Sequence, residues 1–380
     1  MELKALAYHR PSGPVYFPNL NGLRFVAALL VIVHHIEQQQ LYLGRATYYK
    51  VPAVQRIGDE GVTLFFVLSG FLITYLLLLE QEQFGQVVAG KFYGRRALRI
   101  WPLYYAVVLL GLLVLLHDAG QNATAISHWF EKAALYAFFL PNAAVVLYGG
   151  LPYAVQAWSI GTEEQFYLMW PWLIRWAGRR ILPAVGGVLL VLLLAKRLVV
   201  FGFHTAQPDP GPVLSFIFNF LYYFRLECLV IGAVPAVLLF QRRAAVLRRL
   251  MARPVQWLVL LVVISLLAWG KQFSLHEEVY ATLFAVLILN LAAAQRPIIR
   301  LEVRWLNYLG KLSYGLYMLH PIVIAFVLHF LGPWADTQAG WLRWLLTLLA
   351  TLGLSVLLAM LSYHGLERPF LRRKARLVRA

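Results

Sequence analysis

Residues 19–37, NLNGLRFVAALLVIVHHIE, combine a long apolar run with Arg24 near one end and His34 and His35 near the other. Ionisable groups inside a membrane segment are costly and commonly functional. Arg24 and His35 are close to three helical turns apart, a rise of about 16 Å. They therefore project from roughly the same face, about half a bilayer apart. Taken alone, the pattern also fits a snorkelling arginine and a hydrogen-bonded packing histidine.

The composition of the whole chain is that of a membrane protein. Of its 380 residues, 61% are apolar and 13% are charged, which is far from the balance of a soluble globular domain. The formal net charge of +17 could suggest nucleic acid, but the basic residues cluster between apolar runs, where they orient a membrane protein. We therefore predict a membrane-lipid environment and no nucleic-acid partner.

Apolar segments long enough to cross a bilayer recur along the chain. They lie at about 20–38, 61–79, 99–117, 160–177, 181–200, 213–239, 255–270, 277–294, 312–331 and 341–365. A further apolar stretch, 133–148, is interrupted by Pro141 and Asn142. Whether this stretch spans the membrane decides the topology of everything after it.

The distribution of basic residues settles that choice. If 133–148 does not span, 24 of the 34 lysines and arginines fall on one side and five on the other, as the positive-inside rule requires. We therefore place it as a re-entrant or interfacial segment on the outer side. The prediction is an all-α polytopic membrane protein with about ten transmembrane helices and both termini in the cytoplasm. Residues 1–18 are expected to be a cytoplasmic tail without a cleavable signal peptide, 19–370 a transmembrane domain, and 371–380 a basic cytoplasmic tail.

Several motifs follow one another in a fixed order. After NGLR (21–24) come GVTLFFVLSGFLI (61–73), FYGRRALRIWPLYY (92–105), AWSIGTEEQFYLMWP (157–171), YYFRLECLVIG (222–232), LSYGLYMLHP (312–321) and HGLERPF (364–370). With these motifs the chain resembles acyltransferase family 3, the integral-membrane O-acyltransferases, over nearly its whole length. Members of that family transfer acetyl or other short acyl groups to cell-surface sugars, antibiotics and related acceptors outside the cytoplasm.

The resemblance implies roles for individual residues. The family's DGLR falls on 21–24, with the uncharged Asn21 in place of the usual acid. The family's R-x-x-R falls on Arg96 and Arg99, and the glutamate of its WS…EEQFY motif falls on Glu163. In such enzymes the histidine of the first helix, here His35, is regarded as catalytic, and the arginine pair serves the acyl donor.

The chemistry of the arginines is compatible with that role. Arg96 and Arg99 are three residues apart and point the same way on a helix. Guanidinium groups bind phosphates bidentately, and coenzyme A offers a 3′-phosphate and a pyrophosphate. In the predicted topology the pair lies at the cytoplasmic face with Arg24 at the same level, which indicates acetyl-CoA or another acyl-CoA as co-substrate. An ordinary positive-inside anchor is the alternative explanation.

The acid–base candidates are expected toward the outer side. An imidazole such as that of His35 can take the proton of an acceptor hydroxyl as the hydroxyl attacks a thioester. Glu163 is predicted to lie near the depth of His35 and to stabilise the imidazolium, although it could instead cap its helix. His320 is a second candidate for the proton path, and His34 is predicted to be structural. Direct transfer and an acyl-histidine relay both remain open.

The remaining charges are interpreted as structural. Arg225 and Glu227 should each have partners on other helices, whereas Lys196 and Arg197 should snorkel, with an anionic acceptor as the alternative. Cys228 should be a buried packing residue. No H-E-x-x-H or cysteine pair indicates a metal site, so none is predicted.

These observations predict a multi-pass enzyme of the bacterial cytoplasmic (inner) membrane. It would move an acetyl or other short acyl group from cytoplasmic acyl-CoA to a hydroxyl of an extracytoplasmic acceptor, a sugar of a glycan or glycolipid. The alternative is a glycan or lipid transporter or flippase without acyl-transfer chemistry, since buried charges in a helical bundle suit it equally well. The absence of paired half-repeats and the position of the arginine pair at one face count against a transporter.

Overall fold

The computed structural model describes residues 15–119, 128–273 and 275–379, in which helices are connected by short turns and loops and no strand occurs. The side chains of 118, 119 and 374–379 and the first fourteen residues of the predicted N-terminal tail lie outside this description. The helices are α1 (Leu20–Tyr42), α2 (Pro52–Phe84), α3 (Ala89–Ala119), α4 (Trp129–Ala137), α5 (Pro141–Tyr148), α6 (Trp158–Ala177), α7 (Ile181–Thr205), α8 (Gly211–Phe224), α9 (Leu226–Phe240), α10 (Ala244–Leu250), α11 (Arg253–Trp269), α12 (His276–Ala293), α13 (Arg304–Lys311), α14 (Ser313–Phe330), α15 (Gly332–Ala335), α16 (Gly340–Ser362) and α17 (Arg368–Arg379).

The described helices confirm a polytopic helical membrane protein. Eight of them are long and apolar enough to cross a bilayer, and the bent pair α10–α11 makes nine. One of the eight candidates, Val155–Thr205, has 51 residues and would be about 76 Å long if straight, more than twice a bilayer core. It contains the two predicted spans 160–177 and 181–200, which meet where Gly178 adopts φ 50°. Counting it as two accounts for the ten predicted segments.

The interrupted stretch 133–148 forms two short helices. The nine residues of α4 and the eight of α5 rise only about 14 and 12 Å, so neither crosses a membrane alone, in agreement with the predicted non-spanning segment. Pro141 begins α5 and packs against Gly161 of α6, where a Cβ would collide with the proline ring. The segment therefore packs against the helix that carries Glu163.

The centre of the bundle is the crossing of α2 and α9, which is made close by two glycines. A Cβ on Gly70 would collide with the backbone carbonyl of Leu229, and a Cβ on Gly232 would collide with that of Val67. Small residues allow such backbone approach between membrane helices. Cys228, predicted to be a packing residue, is fully buried at this crossing.

A cluster of ion pairs joins α2, α7, α9 and α12. Lys196 of α7 lies 2.6 Å from Glu227, 3.0 Å from Glu278 and 3.4 Å from Glu277. Arg197 adds a contact of 3.4 Å to Glu278. Lys196 and Arg197 therefore do not snorkel as predicted, because α9 and α12 bring carboxylates to them.

The predicted interhelical partners of Arg225 and Glu227 are present. Arg225 is 2% exposed, and its guanidinium lies 3.3 Å from Asp59 of α2. Beside it, Glu60 contacts His276 of α12 at 2.6 Å. Buried charges persist in proteins when they are paired, and this cluster satisfies that rule on four helices.

Candidate active site

A cavity of about 280 Å³ lies between α1, α2, α3, α6 and α14. Arg24 lines it from α1, Arg96 and Arg99 line it from α3, and Glu163 lines it from α6. Four of the five predicted site residues are thus brought together in one place. The cavity extends along α2 from Leu76 to Val62, so it is elongated along the helix axes.

The three guanidinium groups of the cavity form no ion pair in the described part of the protein. None of Arg24, Arg96 and Arg99 has a carboxylate within ion-pair distance, in contrast to Lys196 and Arg225 in the ion-pair cluster. Arg96 lies 5.5 Å from the ring centroid of Phe92 and 5.7 Å from that of Tyr167, and its Nε atom is buried without a hydrogen-bond partner. Partly buried cations without an ion pair are costly, and their gathering around one cavity indicates that the cavity suits an anion.

The carboxylate of Glu163 is held by two hydroxyl groups. Ser69 of α2 donates to Oε1 at 2.7 Å, and Tyr167, one turn along α6, donates to Oε2 at 2.8 Å. Both oxygens are therefore occupied, and the carboxylate sits among the arginines without forming a close ion pair. The cavity's formal charge from these ionisable groups is three positive minus one negative, or +2.

The predicted pairing of Glu163 with His35 is wrong. Helix α6 begins at Trp158, so Glu163 lies more than one turn inside the helix rather than at its outer end. The contact between Ser69 and Glu163 places this carboxylate at the level of the arginines. Its hydroxyl partners replace the imidazole that the sequence suggested.

His35 contacts another histidine instead. Its Nδ1 lies 2.9 Å from the carbonyl oxygen of Val31 and 3.3 Å from Nε2 of His320, and the two rings are 4.9 Å apart between centroids. His320 is completely buried. His34 turns away to the carbonyl oxygen of Val54 at 3.1 Å, in keeping with a packing role.

The histidine pair does not line the arginine cavity, and Tyr317 lies between the pair and the cavity. Tyr317 lines the cavity, and its ring is 5.9 Å from the ring of His320. Its hydroxyl is fixed by Ser159 at 2.7 Å and by the carbonyl oxygen of Gln156 at 3.0 Å. Phe65 packs edge-on against it at 5.7 Å. One layer of aromatic side chains therefore separates the cationic cavity from His35.

The mouth of the cavity near Tyr16 is held by Glu302, outside the spans. Its carboxylate accepts from the hydroxyl of Tyr16, from the backbone N–H of Asn19 at 2.6 Å and from the amide of Asn307 at 2.7 Å. Burial alone would raise the pKa of Glu302, but these three donors hold the pKa below its ordinary value. The sequence preceding α1 is thereby tied to the start of α13.

Sequence reasoning missed the hydroxyl groups that organise the cavity. The motif analysis singled out Glu163 but neither Ser69 nor Tyr167, the two residues that hold its carboxylate. Serine and tyrosine are too common in membrane helices for their type alone to identify a site. The usable signal is spacing, because Glu163 and Tyr167 are four residues apart on one helix and must meet.

The fold and the cavity define a class of protein, a polytopic helical membrane protein with a cationic binding cavity between its helices. A comparison with known families gives the assignment. The family model described as "Acyltransferase domain" matches residues 17–360, nearly the whole chain, so the chain belongs to acyltransferase family 3. The resemblance predicted from the motifs is confirmed.

Curated proteins similar to the chain carry the names of O-acetyltransferases. The O-acetyltransferase OatA of Staphylococcus aureus strain NCTC 8325 / PS 47 is 26% identical over 384 residues, which cover 94% of this chain and 57% of OatA. OatA of strain COL gives the same values. The chain thus spans little more than half the length of these relatives. No solved structure gives a significant match.

Proposed function

We propose that the protein is a membrane O-acyltransferase of the bacterial inner membrane. It takes an acetyl or other short acyl group from acyl-CoA on the cytoplasmic side and passes it to a hydroxyl of an extracytoplasmic acceptor, a sugar of a glycan or glycolipid. Membership of the acyltransferase family and the names of its relatives support the reaction type. The direction follows from the positive-inside rule, which puts Arg96 and Arg99 near the cytoplasmic face.

The observation that carries the proposal is the set of three guanidinium groups that form no ion pair with any residue that the structure describes. The protein pairs Lys196, Arg197 and Arg225 with carboxylates, yet leaves Arg24, Arg96 and Arg99 unpaired around one cavity. The phosphates of an acyl-CoA supply the missing negative charge, and guanidinium groups bind phosphates bidentately. A cavity of about 280 Å³ admits part of such a donor rather than all of it, so the nucleotide end would remain at the mouth.

Glu163 would act in this scheme on the arginines rather than on His35. Its two hydroxyl donors keep it in one orientation, and its charge limits the mutual repulsion of three neighbouring cations. Glu163 is therefore assigned to the donor site. The general base is His35, which takes the proton of the acceptor hydroxyl as the oxygen attacks the thioester carbonyl.

Transfer requires the acyl group to pass Tyr317. The cavity ends at Tyr317 and Phe65, and the histidine pair lies on their other side. The tyrosine ring must therefore move for the thioester to reach His35, whether the acyl group goes directly to the acceptor or first to an imidazole nitrogen.

Binding of the donor to the purified protein tests the proposal. The dissociation constant of acetyl-CoA is measured by calorimetry in detergent for the wild type, for Arg96→Ala and for Arg175→Ala, and 3′-dephospho-acetyl-CoA is titrated in parallel. Arg175 is an exposed arginine at the far end of α6 and is the matched control. Losing a charge-assisted contact costs about 1.5–3 kcal/mol, so Arg96→Ala should weaken binding by about 10- to 150-fold.

Radiolabelled acetyl transfer to the glycan fraction of whole cells tests the catalytic half. His35→Ala should bind acetyl-CoA like the wild type and transfer no label. Equal binding of acetyl-CoA by the wild type and Arg96→Ala would refute the assignment of the arginine cavity as the donor site. Normal labelling by His35→Ala would refute the assignment of His35 as the general base.

A further inference from the structure

His320 occupies a position created by the proline that follows it. In α14 the residue after His320 is Pro321, which has no N–H to donate to the carbonyl four residues earlier, that of Tyr317. Nδ1 of His320 lies 2.6 Å from that carbonyl oxygen. Since a carbonyl oxygen can only accept, Nδ1 carries the hydrogen. In the neutral ring Nε2 then has a free lone pair.

The same reasoning fixes the hydrogen on His35. Its Nδ1 faces two acceptors, the carbonyl oxygen of Val31 at 2.9 Å and Nε2 of His320 at 3.3 Å. Nδ1 of His35 must therefore carry the hydrogen and share it between them. The other nitrogen, Nε2, is left unprotonated in the neutral ring, because the hydrogen bond made by one ring nitrogen selects the tautomer of a histidine.

We propose that His320 is a positioning residue for His35, which holds the Nδ1–H tautomer so that Nε2 is the atom that takes the acceptor's proton. The inference rests on the proposed function, in which His35 is the base. It identifies a neutral imidazole in the place where many hydrolases have a carboxylate. Glu163 cannot fill that place because both of its oxygens are bound in the arginine cavity.

The proton and electron pairs balance through this arrangement. The acceptor O–H bond breaks and its proton goes to Nε2 of His35, while the oxygen forms a bond to the acyl carbon. The C–S bond of the thioester breaks, and the thiolate leaves and takes the proton back from the imidazolium. During the step, the Nδ1–H of the positively charged His35 donates to Nε2 of His320 as a charge-assisted hydrogen bond, which is stronger than its neutral counterpart.

The lengths of two amides provide the test. His320→Gln places its amide oxygen where Nε2 was and can still accept from His35. His320→Asn is shorter and reaches only the carbonyl of Tyr317, so it keeps the local contact and loses the one to His35. His320→Leu loses both. All three variants are purified, their thermal stability and acetyl-CoA affinity are measured, and transfer from radiolabelled acetyl-CoA to the cellular glycan fraction is followed at saturating donor.

We expect His320→Asn and His320→Leu to lower the transfer rate by about 10- to 100-fold, the usual effect of removing a second-shell partner, with donor affinity changed less than about threefold. His320→Gln should recover at least a third of the wild-type rate. Rates within threefold of the wild type for His320→Asn would overturn the proposal, as would a folded His320→Gln no faster than His320→Asn. His35→Ala is assayed in parallel: if it transfers label normally, the proposed function itself fails, and if it is inactive while His320→Asn is active, only the positioning role fails.

Discussion

Replacing a paired and an unpaired buried cation by methionine should give opposite results. Lys196 lies within 3.4 Å of three carboxylates, and its side chain is only 14% exposed. At an effective dielectric constant of about 20, each contact near 3 Å has a Coulomb energy of about 5–6 kcal/mol, much of it offset by desolvation. Lys196→Met leaves Glu227, 5% exposed, without its cation, and breaking a buried pair in this way costs about 3–5 kcal/mol.

Arg96→Met removes a cation that has no carboxylate partner among the described residues. No anion is left uncompensated, and repulsion from Arg24 and Arg99 is relieved, so stability should stay within about 1 kcal/mol of the wild type. The cost should fall on the ligand instead. Acetyl-CoA at one hundred times its dissociation constant stabilises a protein by about 2.7 kcal/mol, and a 10- to 150-fold loss of affinity in Arg96→Met should reduce this stabilisation to about 0.3–1.4 kcal/mol at the same concentration.

Thermal unfolding in detergent, followed by intrinsic tryptophan fluorescence with and without acetyl-CoA, measures both effects. The expected pattern is a large fall in the unfolding temperature for Lys196→Met with the ligand shift retained, and almost no fall for Arg96→Met with the ligand shift reduced to about half or less. An equal fall for the two variants would refute the distinction between paired structural cations and unpaired functional ones.

Three further predictions follow from other parts of the structure. Phe65→Trp should overfill the layer between the cavity and the histidine pair, lowering acyl transfer at least tenfold while acetyl-CoA affinity stays within about twofold; normal transfer in cells, measured by labelling, would show that the acyl group takes another route. Gly70→Ala should prevent folding, because the Cβ of the new alanine would collide with a backbone carbonyl. Gly353→Ala in α16, where the space around the glycine is open, should be neutral or stabilising by about 0.5–1 kcal/mol. The yield of monodisperse protein after detergent extraction compares the two variants. Glu302→Gln should lower the unfolding temperature at neutral pH. Since the folded pKa of Glu302 lies below the ordinary 4.5, its carboxylate stabilises the fold above that pH, and this stabilisation is lost as the pH falls below it. The unfolding temperatures of wild type and variant should therefore converge on acidification, and a constant difference down to low pH would contradict the assignment.

The sequence predicted the architecture well because each membrane span corresponds to a long apolar run of residues. The spans and the non-spanning stretch at 133–148 were predictable from local periodicity and charge counts. The motif order indicated that Arg24, Arg96 and Arg99 lie together. Those signals require no knowledge of which helix neighbours which. Helix α6 begins at Trp158, two residues before the predicted span, and Glu163 therefore lies more than one turn inside the helix instead of at its outer end.

The partners of individual side chains could not be predicted, because they depend on helix neighbours. His320 is 285 residues from His35 in the chain, and nothing local indicates that α1 and α14 touch at this level. The same holds for Lys196, whose carboxylates come from α9 and α12. Charge type alone suggested snorkelling there, and only the packing of four helices supplies the counter-ions.

The contact of Gly70 and Gly232 with the opposing backbones has a mechanical consequence. Two helices whose main chains touch can neither slide nor rotate past one another without separating. Helices α2 and α9 therefore form a rigid pair, relative to which other helices can move. In the proposed reaction, a displacement of Tyr317 that admits the acyl group would then come from α14, which contains Pro321. An enzyme of this design would keep its charge cluster still and flex a single helix with each turnover.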